Sequence, residues 1–268
     1  MAEELDGRFA VLAGAQRVWA VGAVHGEAGQ LRTLHEALLP RFEPGDRIVY
    51  LGNHLGRGRH VVAAQDELLR QRIALLARPG ADSEDIAFLR GAQEEMWRKL
   101  LQLQFAPNPA AVLEWMLEQG VEATMAGYGQ HVQQIRAACR DGPLSIAKWT
   151  IQARAAVHSH PGHQQLQSSL RRAAYTEAGE LLFVAAGIDP ERPLGEQEDT
   201  FWWGSGYFSR IRGRFREFRR VVRGYDRGNG GIDLDSYAVT LDGGCGRGGT
   251  LIAACLALDG SILDVLEV

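Results

Sequence analysis

Apolar residues in this chain come in short blocks separated by polar loops marked with glycine. From Arg17 the run VWAVGAV (18–24) has the length and β-branched content of a buried strand, and it ends in a glycine-flanked loop. Leu31, Leu34 and Leu38 then recur at helical spacing, and Pro40 closes that helix. RIVYLG (47–52) predicts a second strand, running into a loop from Asn53 to Gly58, and a helix follows over Val61–Leu76. A third short strand, Ile86–Leu89, leads into the loop Arg90–Gln93. Strand, loop and helix in this succession predict an α/β fold. In such folds ligands bind at loops beyond the carboxyl ends of the strands.

The stretch 94–175 reads as a helical insertion. Asn108-Pro109 supplies an N-cap and a proline at the first helical position, with Val112, Leu113, Trp115 and Met116 expected inside and Gly120 as the stop. Strand-like blocks return at 181–186, 219–224, 237–244 and 250–258, and Asp259-Gly260 marks a hairpin into SILDVLEV. Residues 1–16 carry no strong pattern and stand as a preamble to a single domain over 17–268.

Composition narrows the classes. Hydrophobic residues at 46% and charged residues at 23% predict a sizeable core in a chain of 268 residues. A formal charge of -4 argues against a general nucleic-acid coat or a membrane-surface protein. Three cysteines without CxxC spacing argue against a disulfide framework or a cysteine-built zinc site. With no long apolar span and an acidic start, the expected location is the cytoplasm.

The glycine-marked loops carry a resemblance. GAVHG (22–26), GNHLGRG (52–58), RGAQE (90–94), FVAAGI (183–188), VVRGYD (221–226) and LDGGC (241–245) follow one another in the order and spacing of the calcineurin-like metallophosphoesterases. Within that superfamily the chain is similar to the bacterial serine/threonine phosphatase and symmetrical diadenosine-tetraphosphatase branch, whose pattern is GDxHG, GDxxDRG, RGNHE, FVHAGI, VVxGHT and LDTGA. The resemblance implies a four-layer αββα sandwich of two mixed sheets flanked by helices. It also implies a two-metal centre that makes an attacking hydroxide, with a histidine as general acid.

At nearly every chemical position this sequence departs from that pattern. Ala23, Ala92 and Ala185 stand where the resemblance implies an aspartate, an asparagine and a histidine; Asn53 stands for the metal-bridging aspartate, Gly56 for a second aspartate, Tyr225 for a histidine and Gln93 for the general acid. Glutamine donates no proton at neutral pH. The resemblance therefore implies a degenerate centre with no catalytic residue and no cofactor expected: a pseudophosphatase with a binding or regulatory role. Arg57 and Arg90 match the family's phosphate-holding arginines, and a guanidinium can grip a phosphoryl group without metal. The expected ligand is a phosphorylated small molecule or phosphoprotein.

Two alternatives stay open. His25, Asn53, His54 and Asp226, with Asp242 nearby, could form a remodelled site around one divalent ion (manganese, iron or zinc) at low occupancy, leaving an active phosphatase. Otherwise His25 meets a backbone carbonyl and the acids cap turns. Glu94 and Glu95 open a helix, where the dipole favours carboxylates. The segment 209–227 interleaves Arg210, Arg212, Arg214, Arg216, Arg219, Arg220, Arg223 and Arg227 with Phe215 and Phe218, after Phe208. It reads as a solvated face over inward aromatics, or as a surface for a protein partner, with nucleic acid disfavoured by the net charge. His158, His160 and His163 fall in an expected surface turn able to bind nickel or zinc adventitiously.

Overall fold

A computed structural model describes residues 7–228 and 231–268 of the chain. Among the described residues, ten strands form two five-stranded sheets. The first is ordered β10-β9-β2-β3-β4, from β2 (Arg17–Val21), β3 (Asp46–Tyr50), β4 (Ile86–Phe88), β9 (Ile252–Ala257) and β10 (Ile262–Glu267). The second is ordered β1-β5-β6-β7-β8, from β1 (Phe9–Leu12), β5 (Ala173–Thr176), β6 (Leu181–Val184), β7 (Arg220–Arg223) and β8 (Ala238–Thr240). Strands β2, β3 and β4 run parallel, as do β6, β7 and β8, while β9 and β10 form the antiparallel hairpin closed by Asp259-Gly260.

Period-two alternation sorts the side chains into layers. Val18, Ala20, Val49, Leu181, Phe183 and Val222 fill the space between the sheets. Trp19, Val21, Ile48 and Tyr50 face the other way, against α1 (Ala28–Leu38) and α2 (Val61–Leu76). Leu182, Val184 and Val221 cover the far face of the second sheet with Phe201, Trp202 and Phe208 from two single-turn helices, Thr200–Trp203 and Ser205–Phe208. The result is the αββα sandwich.

The helical insertion has its own core. It comprises α3 (Ala92–Leu100), α4 (Pro109–Glu118), α5 (Val121–Gly127), α6 (Val132–Asp141), α7 (Pro143–His158) and α8 (His163–Ser169), packed around Trp97, Leu113, Met125 and Trp149. Asn108 caps α4 by accepting from the Ala111 N–H at 3.1 Å, and Gly120 ends that helix region with φ at 96°.

Three features differ from the expected pattern. Phe9–Leu12, within the preamble, is the edge strand β1, pairing parallel with β5; residues 1–6 lie outside the described residues. The insertion therefore gives way to a strand before its expected end at 175, because Ala173–Thr176 is held between β1 and β6. Trp115 is not inside: it is 40% exposed and meets Trp203 edge-on.

A candidate anion cavity

The two sheets meet at the carboxyl ends of their parallel strands, and the glycine-marked loops converge there. Close backbone approach is the reason for some of those glycines. A Cβ on Gly22 would lie 2.2 Å from the Leu241 carbonyl oxygen, and one on Gly224 would lie 2.5 Å from the Leu51 Cβ. Hydrogen bonds then lace the loops together: Ala23 N–H to Gly224 O at 3.0 Å, His25 N–H to Asn53 O at 2.7 Å and Gly26 N–H to His54 O at 3.0 Å.

Glu94 ties the central pair of loops. Its buried carboxylate accepts backbone N–H bonds from Asn53 at 2.9 Å, Leu55 at 2.9 Å and Gly91 at 2.7 Å. Thr124 Oγ1 accepts the Gly56 N–H at 2.9 Å. The expectation that Glu94 merely suits a helix dipole missed this role; its place at the third position of α3, facing its own N-cap, was the available signal.

Inside these loops lies a cavity of about 20 Å³, lined by His25, Asn53, Arg57, Ala92, Gln93 and Tyr225, with Trp202, Trp203, Ser205 and Arg227 also bordering it. His25, Asn53 and Gln93 are only 1%, 0% and 3% exposed. Nevertheless Asn53 Nδ2, Gln93 Oε1 and Arg57 Nε are buried without a hydrogen-bond partner among the described residues, and the His25 ring has the Leu55 carbonyl as its one hydrogen-bonding influence there. His25, Asn53 and Arg57 also hold left-handed backbone, with φ of 50°, 52° and 55°. Such a conformation costs a non-glycine residue roughly 1–2 kcal/mol, and clusters of it mark functional loops.

Electrostatically the cavity is cationic. Burial pushes the His25 imidazole down to about 3, the Arg57 and Arg247 guanidiniums push in the same direction, and the Leu55 carbonyl opposes them weakly. His25 is therefore a neutral ring at physiological pH, packed edge-on against Tyr225 with ring centres 5.4 Å apart. Arg247 lies over the Tyr225 ring at 5.3 Å and bonds Asp242 at 2.8 Å.

The other expected site residues are distributed around this cavity. Arg90 borders a neighbouring cavity of about 90 Å³ with Trp97, Arg98 and Gln167, and its guanidinium lies 3.5 Å from the buried Glu95. His54 is turned away, its Nε2 against the Leu89 carbonyl at 3.1 Å and its ring edge-on to Phe88. Asp226 pairs with Arg223 at 3.1 Å and accepts the Gly228 N–H, and Asp242 accepts the N–H groups of Asp226 and Gly244. The four residues weighed for a single metal are thus not brought together. Among the described residues no group of three or more His, Cys, Asp or Glu side chains is placed to hold a metal.

A paired-metal centre does not fit these side chains either. Ala23, Ala92 and Ala185 offer only methyl groups, and all three are buried. Asn53 Oδ1, the one oxygen that could replace the bridging carboxylate, already accepts the Gln93 N–H at 3.0 Å. At position 56 a Cβ would lie 2.2 Å from Gln93 Oε1, so a side chain there requires the Gln93 side chain to move.

Away from the cavity, the histidine tract is partly internal. His158 is exposed, while His163 is fully buried between the Tyr128 hydroxyl at 2.8 Å and Asp66 at 2.9 Å. In the arginine-bearing segment Phe208, Phe215 and Phe218 are buried and Arg210, Arg212, Arg214, Arg216, Arg219 and Arg227 are exposed. Two differ: Arg220 is half-buried and donates to the Leu234 carbonyl at 2.6 Å, and Arg223 is buried under Phe208 and bonded to Thr240.

No protein-family profile matches the sequence, and no curated protein matches it. Solved structures do. A protein provisionally described as a diadenosine tetraphosphatase is 20% identical over 97% of each chain, with a TM-score of 0.59. A point mutant of a cold-active protein tyrosine phosphatase is 14% identical over 97% of this chain and 82% of that one, with a TM-score of 0.54. A cold-active protein tyrosine phosphatase of a psychrophilic Shewanella is 12% identical over 97% and 82%, with a TM-score of 0.51. The chain shares the two-sheet α/β fold of these phosphatase structures. Among the described residues, no helix is long and apolar enough to cross a membrane.

Proposed function

We propose that this chain is a pseudophosphatase: a phosphoesterase fold that binds a phosphorylated ligand and does not hydrolyse it. The observation that carries the reading is the set of orphaned polar atoms gathered at one cavity whose nearby charges are arginines. A buried unpaired donor or acceptor costs about 1–3 kcal/mol, so a bound group that partners several of these atoms recovers part of that cost. The surrounding charge selects its sign. Arg57 and Arg227 border the cavity and Arg247 stands behind His25, so a dication meets repulsion and an oxyanion meets charge-assisted donors. Arg57 supplies the grip, while Arg90, beside Glu95, serves the neighbouring cavity rather than the same oxygen atoms.

The test is direct. Protein purified without an affinity tag should carry no stoichiometric metal, show no turnover of a generic phosphatase substrate with added manganese, and bind phenyl phosphate in a calorimeter. Arg57→Met should abolish that binding. Stoichiometric metal, with turnover that a chelator removes, would overturn the reading.

A second reading rests on its own observation. Exposed Arg210, Arg212, Arg214, Arg216 and Arg219 make no ion pair among the described residues, on a loop whose phenylalanines are fixed inward. We propose this loop as the docking place for an acidic protein partner, tested by whether Arg→Gln changes at 212, 214 and 216 abolish partner capture.

A further inference from the structure

Two proline-glycine turns border a second cavity, at the amino ends of β3 and β4 rather than at the strand-end loops. EPGD (43–46) leads into β3, and RPGA (78–81) follows α2. In each, the N–H of the fourth residue returns to the carbonyl of the first, Asp46 to Glu43 at 3.1 Å and Ala81 to Arg78 at 3.2 Å. Gly45 and Gly80 hold φ of 88° and 76°. Proline second and a positive-φ glycine third make the type II turn, whose preset backbone gives the cavity firm walls. The cavity measures about 340 Å³, the size of a small-molecule site. Buried Phe42, Leu75 and Ile86 line it together with exposed Pro44 and Pro79, so its surface is mostly apolar.

The charges around it differ in what they can offer a ligand. Arg78 donates to the Leu39 and Phe42 carbonyls and lies over the Phe42 ring at 5.4 Å. Arg47 donates to the Ala13 and Asp46 carbonyls and pairs with Asp85 at 3.0 Å. Buried Asp46 accepts from Arg17, the Trp19 indole and the Glu43 N–H. That leaves Glu43 and Asp82, both exposed. Glu43 meets Arg17 at 3.1 Å, and Asp82 accepts the Glu84 N–H and the Ser83 hydroxyl, so each carboxylate keeps acceptor capacity.

We propose that this cavity binds a small organic cation, an apolar body carrying an ammonium group, with Glu43 and Asp82 at the charge and Leu75 and Ile86 against the body. An anion meets the two carboxylates while the guanidiniums are committed to carbonyls and Asp85. A metal ion does not suit the place either, since among the described residues no three His, Cys, Asp or Glu side chains are set to hold one. The site is independent of the phospho-ligand reading above.

Calorimetric titration of the intact protein at low salt with 2-phenylethylamine and with 3-phenylpropionate, probes of similar size and opposite charge, tests this. The amine should bind about tenfold tighter, because the carboxylates attract one probe and repel the other, and added salt should narrow the gap. Methyl resonances of Leu75 and Ile86 should shift as the amine is added. Glu43→Gln with Asp82→Asn should bring the two probes within about twofold, and asparagine keeps the cap that Asp82 provides. If that variant does not fold, the salt series and the methyl shifts of the unaltered protein decide. Equal binding of both probes, or binding of neither, overturns the proposal. So does an amine preference that survives the double change or leaves the Leu75 and Ile86 methyls unmoved.

Discussion

One pair of loops presents two faces, and they obey opposite rules. On the face turned to backbone, Glu94 and Thr124 take up the N–H groups of Asn53, Leu55, Gly56 and Gly91. On the face turned to the cavity, Asn53, Gln93 and Arg57 leave polar atoms unpaired. The first face builds the loops with protein groups alone; the second leaves polar atoms to which the described residues give no partner. The difference explains how the loops keep their shape although methyl groups replace the implied metal donors. A loop whose hydrogen bonds are closed internally does not need an ion to hold it.

The largest effect should come from breaking the closed face. Glu94→Ala leaves three buried N–H groups without an acceptor, at about 1–3 kcal/mol each. We expect a loss of at least about 3 kcal/mol in urea unfolding. Gln93→Met, on the same helix, gives up one hydrogen bond, Nε2 to the Gln119 carbonyl, while removing an unpartnered oxygen, so it should cost no more than about 1.5 kcal/mol. Equal losses in the two variants would erase the distinction between the faces.

A smaller effect, and a pH-dependent one, should come from His25. In the unfolded chain its imidazole takes a proton near pH 6.5, whereas in the fold burial and two arginines hold it at about 3. The folded state thus binds fewer protons between these values. The stabilisation is complete above pH 6.5 and is lost as pH falls toward 3. By pH 5 the cost is about 2 kcal/mol. Melting temperatures at pH 7 and pH 5 should therefore differ less in His25→Asn than in the unaltered protein; asparagine tolerates the left-handed backbone at that position. An unchanged difference would mean that His25 already carries its proton in the fold.

Much of this architecture was legible in the residues, for reasons the packing makes plain. Alternating Val18 and Ala20 against Trp19 and Val21 encode a strand with helices on one side and a sheet on the other. Glycines at strand ends gave the order of the loops because backbones touch there. What escaped was decided at long range. Strand β1 is four residues long, and its partner Ala173–Thr176 is alanine-rich and 164 residues away, so neither segment signals a strand alone. The division between Arg57 and Arg90 escaped because Glu95, one turn into α3, draws Arg90 to the neighbouring cavity. Which atom of the Gln93 amide lacks a partner depends on Gln119, which only the fold brings near.

The smallest effect on stability should come from the arginine-bearing loop, which completes the contrast. Its phenylalanines are closed on themselves and on the second sheet: Phe215 and Phe218 stack with ring centres 6.3 Å apart, and Tyr175 meets Phe218 edge-on. The arginines between them contribute no ion pair among the described residues, and Arg216 lies over the Phe215 ring at 5.8 Å in an exposed setting. Exposed charges without an ion pair hold little folding energy. Arg212→Gln, Arg214→Gln and Arg216→Gln should each shift stability by no more than about 0.5 kcal/mol. Phe215→Ala should cost about 3–5 kcal/mol by opening the core beneath them. A large loss from the arginine changes would mean that their methylene stems carry packing across the loop. In that case the loop's exposed charge would be part of the fold, and loss of partner capture in the triple variant could not be read as loss of charge alone.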